Sequence, residues 1–171
     1  MLKSLQHLVG SASQFCFRLA RGMILGCMVA MSTVIIAQVF GRYALHRSIP
    51  WSEELARYLM IWMSLVGASV AFRQGSHVAI TFLRDRLEGG KRRIVDLLGM
   101  AVIGVFLYIL IREGLGLAWM FMEQKSPAMG ISMVWAHGSI FVAGVFMGIH
   151  WLHRLLESFG PSLRPHPLAR K

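Results

Sequence analysis

Long uncharged runs alternate with short clusters of charge along this 171-residue chain. The first run, residues 22–41, has no charged side chain, and about 20 residues suffice to cross a ~30 Å hydrocarbon core. Residues 58–72 and 97–111 form shorter runs that neighbouring arginines can complete by snorkelling, and residues 126–153 form a long one. The pattern predicts four transmembrane helices, at residues 22–41, 55–73, 95–112 and 130–152.

The segment before the first span, residues 1–21, has apolar positions at helical spacing: Leu2, Leu5, Val9, Ala12, Cys16 and Leu19. It predicts an amphipathic helix that can lie in the headgroup plane, with a frayed terminus as the alternative. A cleaved signal peptide is disfavoured, because the stretch between Lys3 and Ser11 is too short and polar. We expect one all-α membrane domain over residues 1–171, ending in a cytoplasmic tail at residues 153–171.

Composition supports the membrane prediction and changes how the charge is interpreted. Hydrophobic residues make up 56% and charged residues 15%, where soluble domains have about 45–50% and about 25%. The mean hydropathy is +0.57. Such a chain is too apolar to be disordered, and its low charged share argues against a soluble nucleic-acid-binding domain despite a net charge of +10.

The basic residues divide unevenly between the two sides of the predicted spans. With a cytoplasmic N-terminus, thirteen of the eighteen lie inside and five outside, the five being Arg42, Arg47, Arg57, Arg112 and Lys125. The positive-inside rule therefore predicts that both termini are cytoplasmic. The basic loop at residues 84–93 would contact anionic lipid, and Asp85 and Glu88 interrupt it in a way that disfavours nucleic-acid binding.

Chemistry-bearing residues are sparse in the predicted spans. The sequence contains no glycine-rich phosphate loop, no nucleophile elbow and no paired catalytic carboxylates. Cys16 and Cys27 lie about 16 Å apart along a helix, too far to form a disulfide within it. His137 is the one histidine in the body of a predicted span, so bis-histidine haem ligation is disfavoured. We predict no catalysis, no cofactor and no metal site, and expect His137 to hydrogen-bond within the bundle.

Two features suggest how helices pack. Small residues recur at four-residue spacing, as in Gly22 with Gly26 and Gly144 with Gly148, which permits close helix approach in the bundle or against a partner. Ser52, Glu53 and Glu54 follow Pro50, with Ser52 as a predicted N-cap; Glu53 can pair with Arg57 one turn on. Two interpretations stay open and are compatible, a helix start at the membrane surface and a polar cluster with Arg42 that docks this helix to another element.

Charged, aromatic and glycine positions between residues 42 and 77 follow one another in a specific order. They are Arg42, Tyr43, Trp51, Glu53, Glu54, Arg57, Trp62, Gly67 and His77. In order and spacing the segment resembles the small membrane subunit of tripartite ATP-independent periplasmic (TRAP) transporters, the DctQ-like family. The resemblance covers residues 22–93 well and the later helices by layout. Family members often carry an acidic residue where Thr81 stands, and prolines near the start of the last helix, where this chain has Ser132 and Phe141.

The resemblance implies a transport function without catalysis. Such subunits act in the bacterial inner membrane with a large permease subunit and a periplasmic substrate-binding protein. Together these import organic acids with an ion gradient, and the small subunit is the membrane scaffold. The nine residues that carry the resemblance become candidate interface or structural positions. The alternatives are a membrane anchor of an electron-transfer complex and a stand-alone channel or exporter with a pore around Gln38.

Overall fold

A computed structural model describes residues 2–47, 49–74 and 90–158. Within these residues the chain forms four helices and no strand. The bounds are α1 (Leu2–Tyr43), α2 (Pro50–Gln74), α3 (Gly90–Met120) and α4 (Val134–Ser158). Each helix is long and apolar enough to cross a membrane. The prediction of an all-α protein with four transmembrane helices is confirmed.

The surface of the bundle is apolar. Large side chains such as Val29, Ile36, Val102 and Trp119 are mostly exposed, whereas small and polar residues are prominent among the buried positions. Soluble proteins show the opposite tendency, because water drives large apolar side chains into the core. This outer surface therefore suits contact with lipid or with another membrane protein.

Helix α4 is the centre of the bundle. It packs against each of the other three helices, and α1 and α2 also pack together. Within the described residues the backbone of α3 approaches α4 alone, and Phe72 of α2 joins the buried cluster of Leu107 and Met147. The buried positions of α4 include Ala136, Ser139 and Ala143, whose small side chains let neighbouring helices approach. A Cβ at Gly144 would lie 3.0 Å from Cγ1 of Ile111 on α3. The close approach predicted for Gly144 is thus confirmed.

Helix α1 is a single unbroken element of 42 residues, about 63 Å long at 1.5 Å per residue. We expected residues 1–21 to form a separate segment able to lie in the headgroup plane, but the described helix continues through them. Its polar groups have partners on α4: Nε2 of Gln6 donates to the carbonyl of Leu156 at 2.9 Å. Its buried face consists of Ser13, Cys16 and Ala20. The beginning of α1 therefore continues the helix of the first span and packs alongside the end of α4.

Most predicted helix ends lie elsewhere in the structure: α2 begins at Pro50 and α3 at Gly90, each five residues before the predicted start, and α4 continues to Ser158. Helix α3 continues past Glu113 to Met120, about 12 Å beyond the predicted end, because charged side chains on the open surface of a helix do not terminate it. Helix α4 begins at Val134, so residues 130–133 belong to the connection. Gly130 has a φ of +69°, a left-handed conformation that ends regular structure. Ser132 accepts a hydrogen bond from the amide of Val134 at 3.3 Å and caps the helix instead.

Two connections hold polar residues at one end of the bundle. In the α1–α2 connection the amide of Arg47 donates to the carbonyl of Gly41 at 2.9 Å. The α3–α4 connection carries an isolated antiparallel bridge between Lys125 and Ser132. Residues 84–89 of the predicted basic loop lie outside the described residues, as do His77, Thr81 and most of the tail, whereas residues 90–93 form the start of α3.

Candidate functional site

The first turn of α2 carries adjacent acidic residues. The helix begins at Pro50, whose fixed φ suits the first helical position and whose missing N–H would be unpaired there. The Ser52 hydroxyl donates to the carbonyl of Ile49 at 2.6 Å. Ser52 therefore lies inside the first turn, and its prediction as the N-cap is wrong.

Glu53 is directed toward α1. One carboxylate oxygen accepts from Nη2 of Arg42 at 3.0 Å and from Nε2 of Gln38 at 2.8 Å. The Glu53 side chain stays 59% exposed, so this group is a solvent-accessible contact between α1 and α2. The partner of Glu53 is on the neighbouring helix, and the suggested pairing with Arg57 does not form. The other suggestion, a polar cluster with Arg42, describes Glu53 correctly.

Glu54, the next residue, is only 8% exposed. One carboxylate oxygen accepts from the hydroxyl of Tyr58 at 2.8 Å. The other accepts from the backbone amides of Ala128 and Met129 at 2.9 and 3.0 Å. Both oxygens are therefore used within the chain, and the carboxylate ties α2 to the α3–α4 connection more than seventy residues away.

We define the Glu54 junction as Gln38, Arg42, Glu53, Glu54, Tyr58, Ala128 and Met129. Consecutive backbone N–H groups that converge on a carboxylate satisfy donors that irregular backbone would otherwise leave unpaired near lipid. The Ser126 hydroxyl is buried beside Glu54 and Tyr58, although its geometry falls short of a hydrogen bond. The arrangement suits fixing a loop and leaves the Glu54 carboxylate no free oxygen for chemistry.

Aromatic side chains join α2, the loop and α4 beside this junction. Nε1 of Trp62 donates to the carbonyl of Trp135 at 2.7 Å. The ring of His137 stacks on Phe121 with centroids 4.2 Å apart, and its Nδ1 lies 3.0 Å from the carbonyl of Met133. This contact agrees with the predicted hydrogen bonding of His137 inside the bundle. An open apolar groove beside these residues is lined by Met23, Gly26, Cys27, Ala30, Leu59, Trp62 and Trp135.

At the opposite end of the bundle, Arg73 near the end of α2 reaches across to α1. Its guanidinium donates to the carbonyl of Ser13 at 3.1 Å and to Oε1 of Gln14 at 3.3 Å. The same guanidinium lies 4.4 Å from the ring centroid of Phe17, within the range of a cation–π interaction. Arg73 thus holds the beginning of α1 against the end of α2.

His150 completes this end from α4. Its side chain is 1% exposed, and Nδ1 lies 2.8 Å from Oγ of Ser13. Its Nε2 is buried and has no hydrogen-bond partner among the described residues. Arg154, one turn later, donates from Nη2 to the carbonyl of Arg73 at 2.9 Å. We define the Arg73 junction as Gln6, Ser13, Gln14, Phe17, Arg73, His150, Arg154 and Leu156.

The other predicted interface positions lie on open surface. Tyr43 and Arg57 are exposed, and Trp51 is about half exposed. A Cβ at Gly67 would meet nothing within 4 Å, so its small size is not required by packing within the chain. Arg42 and Glu53 come together, while Glu54 faces the loop.

Sequence reasoning missed the Arg73 junction. The only signal was a histidine near the end of an apolar helix, which does not identify Ser13 or Arg73 as its neighbours. Within the described residues, no cluster of three or more His, Cys, Asp or Glu side chains could hold a metal ion. Cys16 and Cys27 are both free thiols.

Sequence comparison places the chain in a family. Residues 31–160, more than half of the chain, match the family described as the DctQ component of tripartite ATP-independent periplasmic transporters. The sialic acid TRAP transporter small permease protein of Vibrio cholerae is 36% identical over 131 residues, which cover 76% of this chain and 75% of that protein.

Two further relatives come from Haemophilus influenzae. A putative TRAP transporter small permease protein is 24% identical over 159 residues, covering 92% of this chain and 94% of the relative. The sialic acid TRAP transporter permease protein is 29% identical over 134 residues, which make up 77% of this chain but 21% of that longer protein. The chain belongs to the DctQ family of TRAP transporter components and is a multi-pass inner-membrane protein.

Proposed function

We propose that this chain is the small permease subunit of a TRAP-type secondary transporter. In this role it scaffolds a large permease subunit for ion-gradient-driven uptake of an organic acid delivered by a periplasmic binding protein. The family match over residues 31–160 is the observation that carries the proposal. Relatives are named for sialic acid, C4-dicarboxylate and ectoine transport, so similar small subunits accompany different solutes.

The bundle itself supports a scaffold more than a conduit. Ion or substrate pathways through a membrane need ionisable groups directed into an interior path. Here the buried carboxylate of Glu54 binds loop amides, and the guanidinium groups of Arg73 and Arg154 bind backbone carbonyls. These charges hold helices and a loop together, which is what a rigid framework needs.

The two alternatives have weaker support. A bis-histidine haem needs rings at matching depth on facing helices, but His137 and His150 both lie on α4 and each ring contacts a neighbouring group. A pore of assembled first helices around Gln38 needs that amide to be free, whereas it is bound to Glu53.

We infer further that the Arg73 junction lies on the cytoplasmic side. It brings together the beginning of α1 and the ends of α2 and α4, and therefore Arg73 and Arg154. Arg21 also lies at this end, beside Phe17. By sequence, the connection between α2 and α3 and the segment after α4 are rich in basic residues, which favour the cytoplasm. Green fluorescent protein fused after Lys171 should fluoresce, whereas alkaline phosphatase at the same position should be inactive. The reverse result would contradict the orientation.

The scaffold proposal is tested by co-expressing the full chain with a large TRAP permease subunit from the same organism. The two should co-purify, and proteoliposomes with both subunits and the binding protein should take up the solute. Liposomes that lack this chain should lose uptake. A chain that is stable and monodisperse alone, with uptake unchanged in its absence, would overturn the proposal.

A further inference from the structure

Helix α3 stands at the edge of the bundle. Within the described residues its backbone approaches α4 alone, whereas α1 and α2 each pack against two helices. More than half of its circumference is open, including a stripe at helical spacing formed by Ala101, Val105, Tyr108, Arg112, Gly116 and Trp119. The centre of this stripe is Arg112.

The rotation of α3 about its axis is set by close packing on the opposite side. A Cβ at Gly114 would lie 3.0 Å from Cγ2 of Ile140 and from the backbone nitrogen of Phe141. Leu107, on the same side, is almost fully buried. Because Gly114 must face α4, the preceding Arg112 and Glu113 are directed outward.

Arg112 and Glu113 are an exposed charge pair within an apolar helical surface. Their side chains are 72% and 64% exposed, and Nε of Arg112 lies 3.9 Å from Oε1 of Glu113. Adjacent residues on a helix point about 100° apart, so the pair compensates its charges only weakly. Ile109, Leu115 and Trp119 are exposed around it. Charges in such surroundings are expensive in lipid and mark contacts with other polar groups.

The charged side chains of the Glu54 and Arg73 junctions behave differently. The Glu54 carboxylate receives three hydrogen bonds, and Arg73 and Arg154 each donate to a backbone carbonyl. Within the part of the chain that the structure describes, the contact of Arg112 is with its own neighbour. The pair is therefore a place on the bundle where charge remains available to another subunit.

A relative indicates what that subunit is. In the Haemophilus influenzae sialic acid permease protein, the region similar to this chain is about one fifth of a single longer polypeptide. When a small helical bundle is part of a much larger membrane polypeptide, one of its surfaces has to contact the rest of that polypeptide. Open apolar area that presents aromatic residues, an arginine and a small residue has the composition expected of such a membrane contact.

We propose that the open face of α3, centred on Arg112 and Glu113, docks the large permease subunit. The partner supplies a carboxylate to Arg112 and a hydrogen-bond donor to Glu113, and the close approach of its helix is permitted by Gly116, beside which nothing of this chain lies within 4 Å. The inference rests on the proposed scaffold function, because it names the surface through which scaffolding occurs.

The first test is photo-crosslinking in the full complex in membranes. A photoreactive amino acid at Tyr108 or Trp119 should crosslink to the large permease. Matched controls are Phe15 and Ile36 on α1, which are also large, apolar and well exposed, and these should crosslink only to lipid. Crosslinks from α1 with none from α3, in a complex that still co-purifies, would overturn this inference and leave the proposed function standing.

The second test uses charge. Arg112→Glu and Glu113→Arg should each weaken association with the large permease about 10- to 100-fold, as truncation of buried charge pairs at interfaces does. The matched control Arg47→Glu changes an exposed arginine in the α1–α2 connection and should leave association unchanged. Unaltered thermal stability of the isolated variants shows that folding is intact. Wild-type association in both α3 variants would overturn the docking surface, whereas a wild-type chain that binds no permease would overturn the proposed function.

Discussion

At both ends of the bundle charged side chains bind backbone groups, but the two ends use charges of opposite sign. At the Glu54 junction, a carboxylate accepts hydrogen bonds from the amides of Ala128 and Met129. At the Arg73 junction, guanidinium groups donate to the carbonyls of Ser13 and Arg73. Near lipid, backbone polar groups need partners within the protein. In this protein an acidic side chain accepts hydrogen bonds from the amides of an irregular loop, whereas basic side chains hold one helix against another.

The adjacent carboxylates at the Glu54 junction differ in the same way on a smaller scale. Glu53 contributes to an exposed pair with Arg42, while Glu54 is buried and fully bound. Exposed ion pairs add little to stability, whereas removal of a buried acceptor leaves its donors unpaired. Substitutions at the two junctions should therefore differ widely in their cost, with Glu54 the most sensitive position and Arg42 the least.

Glu54→Ala should destabilise the isolated subunit most. It leaves the amides of Ala128 and Met129 and the hydroxyl of Tyr58 without an acceptor. We expect the apparent Tm in detergent to fall by about 5–10 °C. Glu53→Ala is the matched control and should lower the Tm by no more than about 2 °C. Equal effects of the two substitutions would show that burial does not distinguish these carboxylates.

Arg73→Ala should loosen the beginning of α1. It removes contacts with Ser13, Gln14 and Phe17, and the buried thiol of Cys16 reports the opening. In a Cys27→Ala background, maleimide labelling of Cys16 should accelerate about 5- to 10-fold, because a hydrogen bond to a charged group is worth about 1 kcal/mol or more. Arg57→Ala, an exposed arginine on the same helix, should leave the labelling rate unchanged. An unchanged rate for Arg73→Ala would contradict its fastening role.

Glycines at the two ends of the bundle should differ in tolerance. A Cβ at Gly41 would lie 3.3 Å from the backbone carbonyl oxygen of Arg47, which cannot turn away. A Cβ at Gly10 would lie 3.1 Å from Nε2 of His153, a side chain that can rotate. Gly41→Ala should therefore destabilise by about 1 kcal/mol. Gly10→Ala should be close to neutral, since alanine also favours the helix by about 1 kcal/mol. Denaturant titration followed by tryptophan fluorescence measures both, and the opposite ranking would contradict the comparison.

Among the charged positions of the two junctions, Arg42→Ala should have the smallest effect on stability, about 0–1 kcal/mol, because its pair with Glu53 is exposed and Gln38 still contacts the carboxylate. The second measurement for this variant is the yield of its complex with the large permease. A lower yield at unchanged Tm would assign Arg42 and Glu53 to subunit docking. Unchanged yield and Tm would make the pair a solvated rim.

Much of the fold follows from periodicity. Uncharged runs predict the four spans, and the spacing of Gly144 to Gly148 predicts the close approach there. The predicted end of α3 is wrong because Arg112 and Glu113 do not terminate the helix, which continues and carries them on its open face. The same reasoning separates residues 1–21 from the first span, although their polar groups have partners on α4. Local patterns of hydrophobic and charged residues do not show which groups on distant helices a side chain will contact.

Composition and short-range order were enough to establish the membrane class, the number of spans, the asymmetry of basic charge and the family. Lipid responds to these properties directly, through hydrophobic length and the position of charge. The tertiary structure was needed to show which of two adjacent glutamates is buried, where Arg73 reaches and which side of α3 stays open. Each of those depends on groups tens of residues away: the loop amides beside Glu54, Ser13 beside His150, and Phe141 against Gly114.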